Sequence, residues 1–341
     1  MEYKIKVLSI YEKGHYRDTQ EDSIFPQSGD FTADDRLFMV CDGMGGHEAG
    51  EVASQAVCEA MSRVIQELAP AEEVLTDEIL SKALTEAYDL LDERDPNPES
   101  AKKMGTTMTL LKLHRDGATI AHIGDSRVYQ FRPDEDGNMQ VVHKTVDHSL
   151  VNDLLKVNEL TPEEAENFPR KNVITRAMQS HLERRPKADV SHIEDVRTGD
   201  YFLLCSDGML EHTSDQNLCY MIGMPETDDE KKIKMLKDTT EDNKDNHSAY
   251  LIHILDAEDC TQTIPVKNDE PQIQTTSQKP TVVQSGKNGL FLRYIIAAVT
   301  ALLVIIGACI YATKYKKNDK QAKPEKKERI NTIPSKDTNK N

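Results

Sequence analysis

The sequence predicts an α+β domain followed by one membrane-spanning helix. Two observations predict the domain: short apolar runs rich in β-branched and aromatic residues occur in groups, and two longer segments carry apolar residues at helical spacing. This order differs from the strict strand–helix alternation of a doubly wound parallel sheet. A third observation, the uncharged run of 19 residues from Tyr294 to Ala312, predicts the membrane span.

The predicted strands begin at the N-terminus. Residues 1–18 contain no long apolar region and no small-residue cleavage site, so we interpret them as a first strand and not as a signal peptide. The other predicted strands are Leu37–Cys41, Thr107–Leu113, Thr119–Ile123, Arg127–Phe131, Tyr201–Cys205 and Tyr250–Leu255. Helices are predicted over 52–68 and 79–91, where the apolar residues form one stripe that would pack against a core.

Four regions follow from the composition along the chain. Residues 1–256 have the pattern of a folded domain, and residues 257–289 form a predicted flexible linker, because they are polar and hold no aromatic residue. Residues 290–312 are the predicted transmembrane helix, and residues 313–341 form a basic tail. A buried core helix is the alternative for 290–312, but a linker before it and a lysine-rich tail after it leave nothing to bury it.

The charge of the chain is divided between these regions. The formal net charge is −17, but the tail carries +6 and the preceding 312 residues therefore carry −23. A strongly acidic domain is a poor general binder of nucleic acid, because phosphates require Lys and Arg for neutralisation. Six cysteines without any CxxC pair argue against a thiolate zinc site and indicate a reducing compartment.

Two rules disagree about the orientation of the span. The N-terminal sequence, without a signal peptide, predicts that the domain stays in the cytoplasm, whereas the positive-inside rule would place the basic tail there. We expect a cytoplasmic domain, because a tail of 29 residues is easier to translocate than a folded domain.

Acidic residues recur at the ends of the predicted strands. They are Glu21 and Asp22 after the first strand, Asp42, Asp125 and Asp207 after apolar runs, and Asp245 just before one. Any one of these alone is typical of a turn, but the set is not. Carboxylates that met at one sheet edge would repel each other unless cations lay between them, and all-oxygen ligands select Mg²⁺ or Mn²⁺. The pattern therefore predicts a divalent metal site.

Eight ordered motifs between Arg17 and Asn246 resemble those of the PP2C-type (PPM) family of metal-dependent protein serine/threonine phosphatases, most closely its bacterial branch. They are Arg17-x-x-Gln-Glu-Asp-Ser, Asp42-Gly-Met-Gly-Gly-His, Gly105-Thr-Thr, Gly124-Asp-Ser-Arg-x-Tyr, Asp147-His-Ser, Asn172-Val-Ile-Thr-Arg-Ala, Ser206-Asp-Gly-Met and Asp245-Asn. The resemblance covers the whole predicted domain and implies two packed antiparallel β-sheets flanked by helices. It also places a variable flap over residues 150–176, in which Thr161 and Glu164 have the spacing of a helix-capping box.

The resemblance implies a role for each candidate residue. Asp42 would bridge two metal ions, and Gly43 would offer its carbonyl oxygen. Glu21 would complete the coordination of one ion, and Asp207 and Asp245 would hold the other ion. Asp22 would orient metal-bound water, and Asp125 with Asp207 would form a third, weaker site. Arg17 would bind the substrate phosphate. The cofactors implied are two Mn²⁺ or Mg²⁺ ions, with a third ion at the weaker site.

The resemblance leaves the proton donor open, because Met44 stands where animal members of the family have a histidine. His47 is one candidate for protonating the leaving alkoxide, and a metal-bound water is another.

The function implied is hydrolysis of phosphoserine and phosphothreonine in proteins by a water that two metal ions activate. Two alternatives remain open: a catalytically silent sensor or scaffold with the same fold, and a phosphatase for small phosphomonoesters. By analogy with bacterial relatives, the expected partners are phosphoprotein substrates and a Ser/Thr kinase, together with the membrane, and no nucleic acid.

Overall fold

The computed structural model describes residues 2–45, 49–99, 103–166, 168–170 and 173–258. The strands are β1 (Glu2–Glu12), β2 (Asp22–Phe25), β3 (Leu37–Met44), β4 (Gly105–Thr106), β5 (Met108–His114), β6 (Gly117–Ile123), β7 (Arg127–Pro133), β8 (Met139–Lys144), β9 (Met178–Gln179), β10 (Asp189–Ile193), β11 (Tyr201–Cys205) and β12 (His247–Glu258). The helices are α1 (Ala49–Leu68), α2 (Asp77–Arg94), α3 (Leu150–Lys156), α4 (Pro162–Glu166), α5 (Asp215–Gly223) and α6 (Asp229–Asp238). A short 3-10 helix covers Asp207–Met209.

Two sheets form the centre of the domain. The first has the strand order β1-β12-β11-β7-β8, so the first and last strands of the domain lie side by side. The second has the order β10-β6-β5-β3-β4-β9, with β2 paired to β3. All of these pairings are antiparallel, which confirms the predicted α+β class with two antiparallel sheets.

Both faces of the central strands are buried, which explains why these strands are continuous apolar runs in the sequence. On β3, Phe38 and Val40 face the first sheet and pack near Tyr250 of β12. Their neighbours Met39 and Cys41 point to the opposite face, because successive side chains of a strand alternate. That opposite face packs against α1 and α2.

A third hydrophobic cluster lies on the outer face of the first sheet. Leu203 of β11 and Leu251 of β12 contribute to it, together with Leu218 and Ile222 of α5 and Leu236 of α6. The domain therefore has four layers in the order helix, sheet, sheet, helix. Each strand-end residue is supported by two packed sheets, so its position is well defined.

The predicted strands and the two long helices are confirmed, with ends that differ by a few residues. The capping box is also present, because Thr161 N donates to Glu164 Oε2 (2.9 Å) and Glu164 N donates to Thr161 Oγ1 (3.3 Å). The predicted linker from residue 259 on, the transmembrane helix and the basic tail lie outside the described residues. Within the part of the chain that the structure describes, we find no helix with the length and hydropathy that a bilayer crossing requires.

Candidate active site

The acidic residues predicted from strand ends converge at one edge of the sheets. Asp22 on β2 and Asp42 on β3 are direct partners in the antiparallel register. The neighbouring residues are tied by a hydrogen bond in which Gly43 N donates to Glu21 O (3.1 Å). Four of the predicted residues are therefore fixed by one short pair of strands.

Two of the three remaining strand-end residues come from the first sheet. Asp207 directly follows Ser206 at the end of β11, and Asp245 lies two residues before β12, its neighbour in the sheet. The two segments touch closely at Gly208, where an added Cβ would lie 2.0 Å from Asn246 O and 3.3 Å from Asp245 Cβ. Only glycine allows this approach, so the Gly after Asp207 has a structural reason.

Asp125 belongs to the turn between β6 and β7. Ser126 beside it shares a hydrogen bond with Thr107 (Oγ–Oγ1 2.7 Å), and Thr107 Oγ1 also accepts from Asp42 N (2.9 Å). Two hydroxyl groups thus link the Asp125 turn to the strand that carries Asp42. Asp125 and Asp207 also line the same groove.

Arg17 lies at the rim of this cluster, with 44% of its side chain exposed. Its Nη2 is 2.6 Å from Asp245 Oδ2, and its Nη1 is 3.5 Å from Glu21 Oε2. Burial alone would lower the pKa of Arg17, but Asp245, Glu21 and Asp42 outweigh it and raise that pKa. The guanidinium is therefore a permanent positive charge beside the carboxylates.

The carboxylates are held in conditions that disfavour their ionised form. Burial, together with Asp207 and Asp245, raises the pKa of Asp22 to about 7 despite the hydrogen bond from the Ser206 hydroxyl. Burial, with Asp207 and Asp147, raises the pKa of Asp125 to about 7. The pKa values of Asp42 and Asp207 are also raised, first by burial and then by neighbouring carboxylates.

Among the residues that the structure describes, three buried oxygens of this cluster find no hydrogen-bond partner: Oδ1 of Asp22, Oδ1 of Asp125 and Oδ1 of Asp207. A buried carboxylate oxygen without a partner is costly, and several at one point repel one another. A hard divalent cation would satisfy these oxygens and offset the repulsion, and oxygen ligands are those that Mg²⁺ and Mn²⁺ prefer. The residues present therefore fit a metal centre.

The structure brings together all the predicted site residues that it describes. Arg17, Glu21, Asp22, Asp42, Gly43, Asp125, Asp207 and Asp245 all lie at this edge. His47, the predicted proton donor, lies outside the described residues.

Three supporting residues have no role in the sequence analysis. Asn246 Oδ1 accepts from Glu21 N (2.9 Å), and its Nδ2 donates to Lys13 O (2.9 Å) and Thr19 O (3.0 Å), so Asn246 anchors the segment before β2. Ser206 Oγ donates to Asp22 Oδ2 (2.9 Å). An added Cβ on Gly50 would lie 2.7 Å from Glu21 Oε1. Asn246 and Ser206 are next to predicted metal ligands in the sequence, and this adjacency could have indicated their supporting role. No feature of the sequence indicates the role of Gly50.

A groove of about 1020 Å³ extends from Asp125 and Asp207 along the surface. Its lining includes Val151 and Leu155 of α3 and the segment from Leu210 to Ser214. It is large enough for several residues of an extended chain.

Comparison with known proteins identifies the family. The family model for Protein phosphatase 2C matches residues 16–249. The serine/threonine protein phosphatase PstP of Mycobacterium tuberculosis is 28% identical, over 89% of this chain and 61% of the relative. The chain thus spans less than two thirds of that relative's length. The serine/threonine phosphatase stp of Listeria monocytogenes is 31% identical, over 71% of this chain and 92% of the relative.

A solved structure supports the same assignment. The catalytic domain of PstP in complex with two manganese ions is 28% identical and superposes with a TM-score of 0.55. The alignment covers 74% of this chain and 99% of that domain. Together with the fold and the carboxylate cluster, these matches show that the chain belongs to the protein phosphatase 2C family of metal-dependent serine/threonine phosphatases, in its bacterial branch.

Proposed function

We propose that this protein hydrolyses phosphoserine and phosphothreonine in proteins with the help of Mn²⁺ or Mg²⁺. The observation that carries the proposal is the cluster of buried carboxylates, three of whose oxygens lack a partner in the described part of the chain, beside the exposed guanidinium of Arg17. A phosphate monoester is a dianion, so a site for it needs positive charge, and this cluster by itself has an excess of negative charge. Cations held by the carboxylates resolve that conflict.

The carboxylates are proposed to hold two ions, and Asp42 would contribute to holding both. Glu21 and the carbonyl oxygen of Gly43 would complete the ligands of one ion, and Asp207 and Asp245 would hold the other ion. Asp125 and Asp207 would hold a third ion more weakly. Such cations supply Lewis-acid chemistry: they neutralise phosphate charge and make a water ionise near neutral pH.

Asp22 is proposed to orient the attacking water and to accept a proton from it. Its Oδ2 is occupied by Ser206, which leaves Oδ1 without a partner in the described structure. Bound cations would return the pKa of this carboxyl towards its usual value, because an opposite charge favours the ionised form. The carboxylate can then accept a proton near neutral pH.

Arg17 is proposed to bind two oxygens of the substrate phosphate through its planar guanidinium. In the described structure it pairs with Asp245 and Glu21, both proposed to hold cations. Cations on these carboxylates would weaken their attraction for Arg17 and release its N–H groups to the phosphate. His47 is proposed from the sequence alone as the group that protonates the leaving alkoxide.

A phosphoprotein is favoured over a small phosphomonoester because the groove beside Asp125 and Asp207 offers room for residues that flank a phosphoserine. Its lining includes apolar side chains of Val151, Leu155 and Leu210 and the charged side chain of Lys244. We therefore expect kcat/KM for phosphopeptides to exceed that for sugar phosphates. Equal values for the two substrate classes would favour the small-molecule alternative.

The test of the reaction is hydrolysis of para-nitrophenyl phosphate by the full-length protein, with and without Mn²⁺. We expect activity only with metal, and near loss of activity in Asp42→Asn and Asp207→Asn. Asp136→Asn, an equal charge change in an exposed turn, is the control and should remain active. Activity that survives complete chelation would overturn the mechanism, and an inactive wild type with bound Mn²⁺ would favour a silent sensor.

We propose that residues 290–312 anchor the protein in the membrane with the catalytic domain in the cytoplasm, where a Ser/Thr kinase would supply its substrates. The uncharged run Tyr294–Ala312 and the flanking basic residues support this proposal. Protease treatment of inverted membrane vesicles should digest the catalytic domain. A domain that is protected in such vesicles would reverse the proposed orientation.

A further inference from the structure

His148 belongs to a cluster that lies outside the carboxylate site. The side chains of His122, His148 and Asp189 each offer one possible ligand atom, and these atoms lie within 4.8 Å of one another. The two imidazole rings are stacked, with centroids 4.6 Å apart and planes at 7°. His148 is buried, with 2% of its surface exposed, so its hydrogen bonds decide what the cluster can do.

The hydrogen bonds of His148 assign the proton on its ring. Gly124 N lies 3.0 Å from His148 Nδ1 and donates to it. A backbone N–H is always a donor, so Nδ1 carries a lone pair and the proton of the neutral ring must be on Nε2. A protonated nitrogen cannot bind a cation, which makes this cluster a poor metal site.

The proton on Nε2 indicates that the cluster has a role other than metal binding. Nε2 lies 3.1 Å from Asp189 Oδ2, a close contact that is not aligned as a full hydrogen bond. Asp189 is also ion-paired with Arg176. Burial lowers the pKa of His148, with smaller contributions from His122 and Arg176, and this outweighs the opposing effect of Asp189, so the ring stays neutral near pH 7.

The backbone of His148 joins the same two regions as its side chain. His148 N donates to Gly124 O (2.9 Å), next to Asp125. Thr175 N donates to His148 O (2.8 Å), and Thr175 belongs to the end of the flap, residues 150–176. His148 is thus hydrogen-bonded to Gly124 twice and to the flap end once, while Asp189 links its ring to Arg176 of the flap.

We propose that His148 is a positioning residue that acts through two contacts. Its neutral imidazole accepts a hydrogen bond from Gly124 N and thereby holds the Gly124–Asp125 turn. The same ring ties that turn to the flap end through Asp189 and Arg176. The inference rests on the proposed role of Asp125 as the ligand of the weaker metal ion. Rotation of the Gly124 peptide would move Asp125 directly, because the two residues share a peptide bond. Loss of the imidazole acceptor should therefore weaken the Asp125 metal site more than the two sites centred on Asp42.

The first test is independent of metal and of activity. In full-length protein labelled with ¹⁵N at histidine and glycine, NMR should show His148 with a proton on Nε2 and none on Nδ1. The Gly124 amide should show a scalar coupling to Nδ1 through the hydrogen bond. A protonated Nδ1, or a rapidly exchanging Gly124 amide, would overturn the proposal.

The second test measures Mn²⁺ binding by the electron paramagnetic resonance of free Mn²⁺. His148→Ala should weaken the weakest binding step about tenfold, in the range of one buried hydrogen bond. His148→Asn should restore it to within about threefold, because the asparagine Oδ1 can accept where Nδ1 does. His192→Asn, a half-exposed histidine on the same strand as Asp189, should bind like wild type. Weakest-step binding in His148→Ala that equals wild type would overturn the proposal.

Asp125→Asn separates this inference from the proposed function. If Asp125→Asn removes the weakest binding step and His148→Ala leaves it intact, only the inference on His148 fails. If Asp125→Asn leaves that step intact, the proposed role of Asp125 fails, and with it the effect expected of His148 on metal. If His148→Ala does not fold, His148→Asn is compared with His148→Gln, whose amide extends past the Nδ1 position and should bind the weakest ion less tightly.

Discussion

Replacement of Asp125 by asparagine should stabilise the metal-free protein at alkaline pH. In the folded protein, burial and the charges of Asp207 and Asp147 raise the pKa of Asp125 to about 7 from its ordinary value of 3.8. Between these two pH values the unfolded chain releases the proton and the folded chain keeps it. A raised pKa of a carboxyl group therefore lowers the free energy of unfolding as pH rises through this window.

The magnitude follows from the same pKa. A rise from 3.8 to about 7 corresponds to a loss of about 4 kcal/mol of stability above pH 7. This is an upper bound, because a buried site can relax around the charge, and about 2–4 kcal/mol is expected. Asparagine has nearly the same size and no charge, so the variant avoids this cost.

Urea unfolding of the full-length protein in detergent and chelator measures the effect. Tyrosine fluorescence is the natural signal, because the chain has 11 tyrosines and no tryptophan. The stability advantage of Asp125→Asn should grow by about 2 kcal/mol between pH 5.5 and pH 8. The exposed control Asp136→Asn should change the free energy of unfolding by less than about 0.5 kcal/mol at both pH values.

The result that refutes this reasoning is an Asp125→Asn variant that is no more stable than wild type at pH 8 in chelator. An advantage that does not depend on pH would also refute it, because the cause would then not be ionisation. Saturating Mn²⁺ should reverse the order, since ligand that binds only the folded state stabilises the protein that still has the site.

Three further predictions concern other residues of the domain. Arg17→Lys should lower kcat about 100-fold at saturating Mn²⁺, because lysine keeps the charge but loses the two parallel donors; phosphopeptide kinetics measure it. Gly50→Ala should weaken Mn²⁺ binding, since its Cβ would lie 2.7 Å from Glu21 Oε1, and calorimetric titration would detect the change. In Asp229, burial alone would raise the pKa, but contacts with His253, Tyr201 and Lys232 lower it to about 2. Asp229→Asn should therefore cost about 2 kcal/mol at pH 7, a cost that disappears as pH falls from 4 to 2.

Each of these three variants has a matched control variant. Lys13→Ala, close to Arg17 in the chain, should leave kcat within about twofold of wild type. In the described structure the side chain of Lys13 donates to the carbonyl of Asp18 and is not hydrogen-bonded to the carboxylates of the site. Gly29→Ala strains a left-handed residue but meets no atom within 4 Å, so Mn²⁺ binding should not change. Asp238→Asn removes an exposed pair with Lys234 and should cost less than about 0.5 kcal/mol. If a control variant shows the same effect as its test variant, the explanation given for the test variant is wrong.

Much of the fold could be read from local pattern. The runs Leu37–Cys41 and Tyr201–Cys205 appear as strands because both faces of each are buried, which requires continuous apolar residues. The stripe over 52–68 appears as α1 because one face of that helix packs on the second sheet. The short strands β4 and β9 were not predicted, since two residues are too few to carry a periodic pattern.

By itself, the sequence determined which residues stand at strand ends and that their oxygens suit a divalent cation, because both depend only on residue type and near neighbours. Only the tertiary structure decided which of these residues meet and how strongly they repel. Asn246 reaches Glu21 across 225 positions, and His148 accepts from Gly124 across 24. Contacts between distant positions depend on how the two sheets pack, and a pKa depends on burial, so neither is encoded in any short stretch of chain.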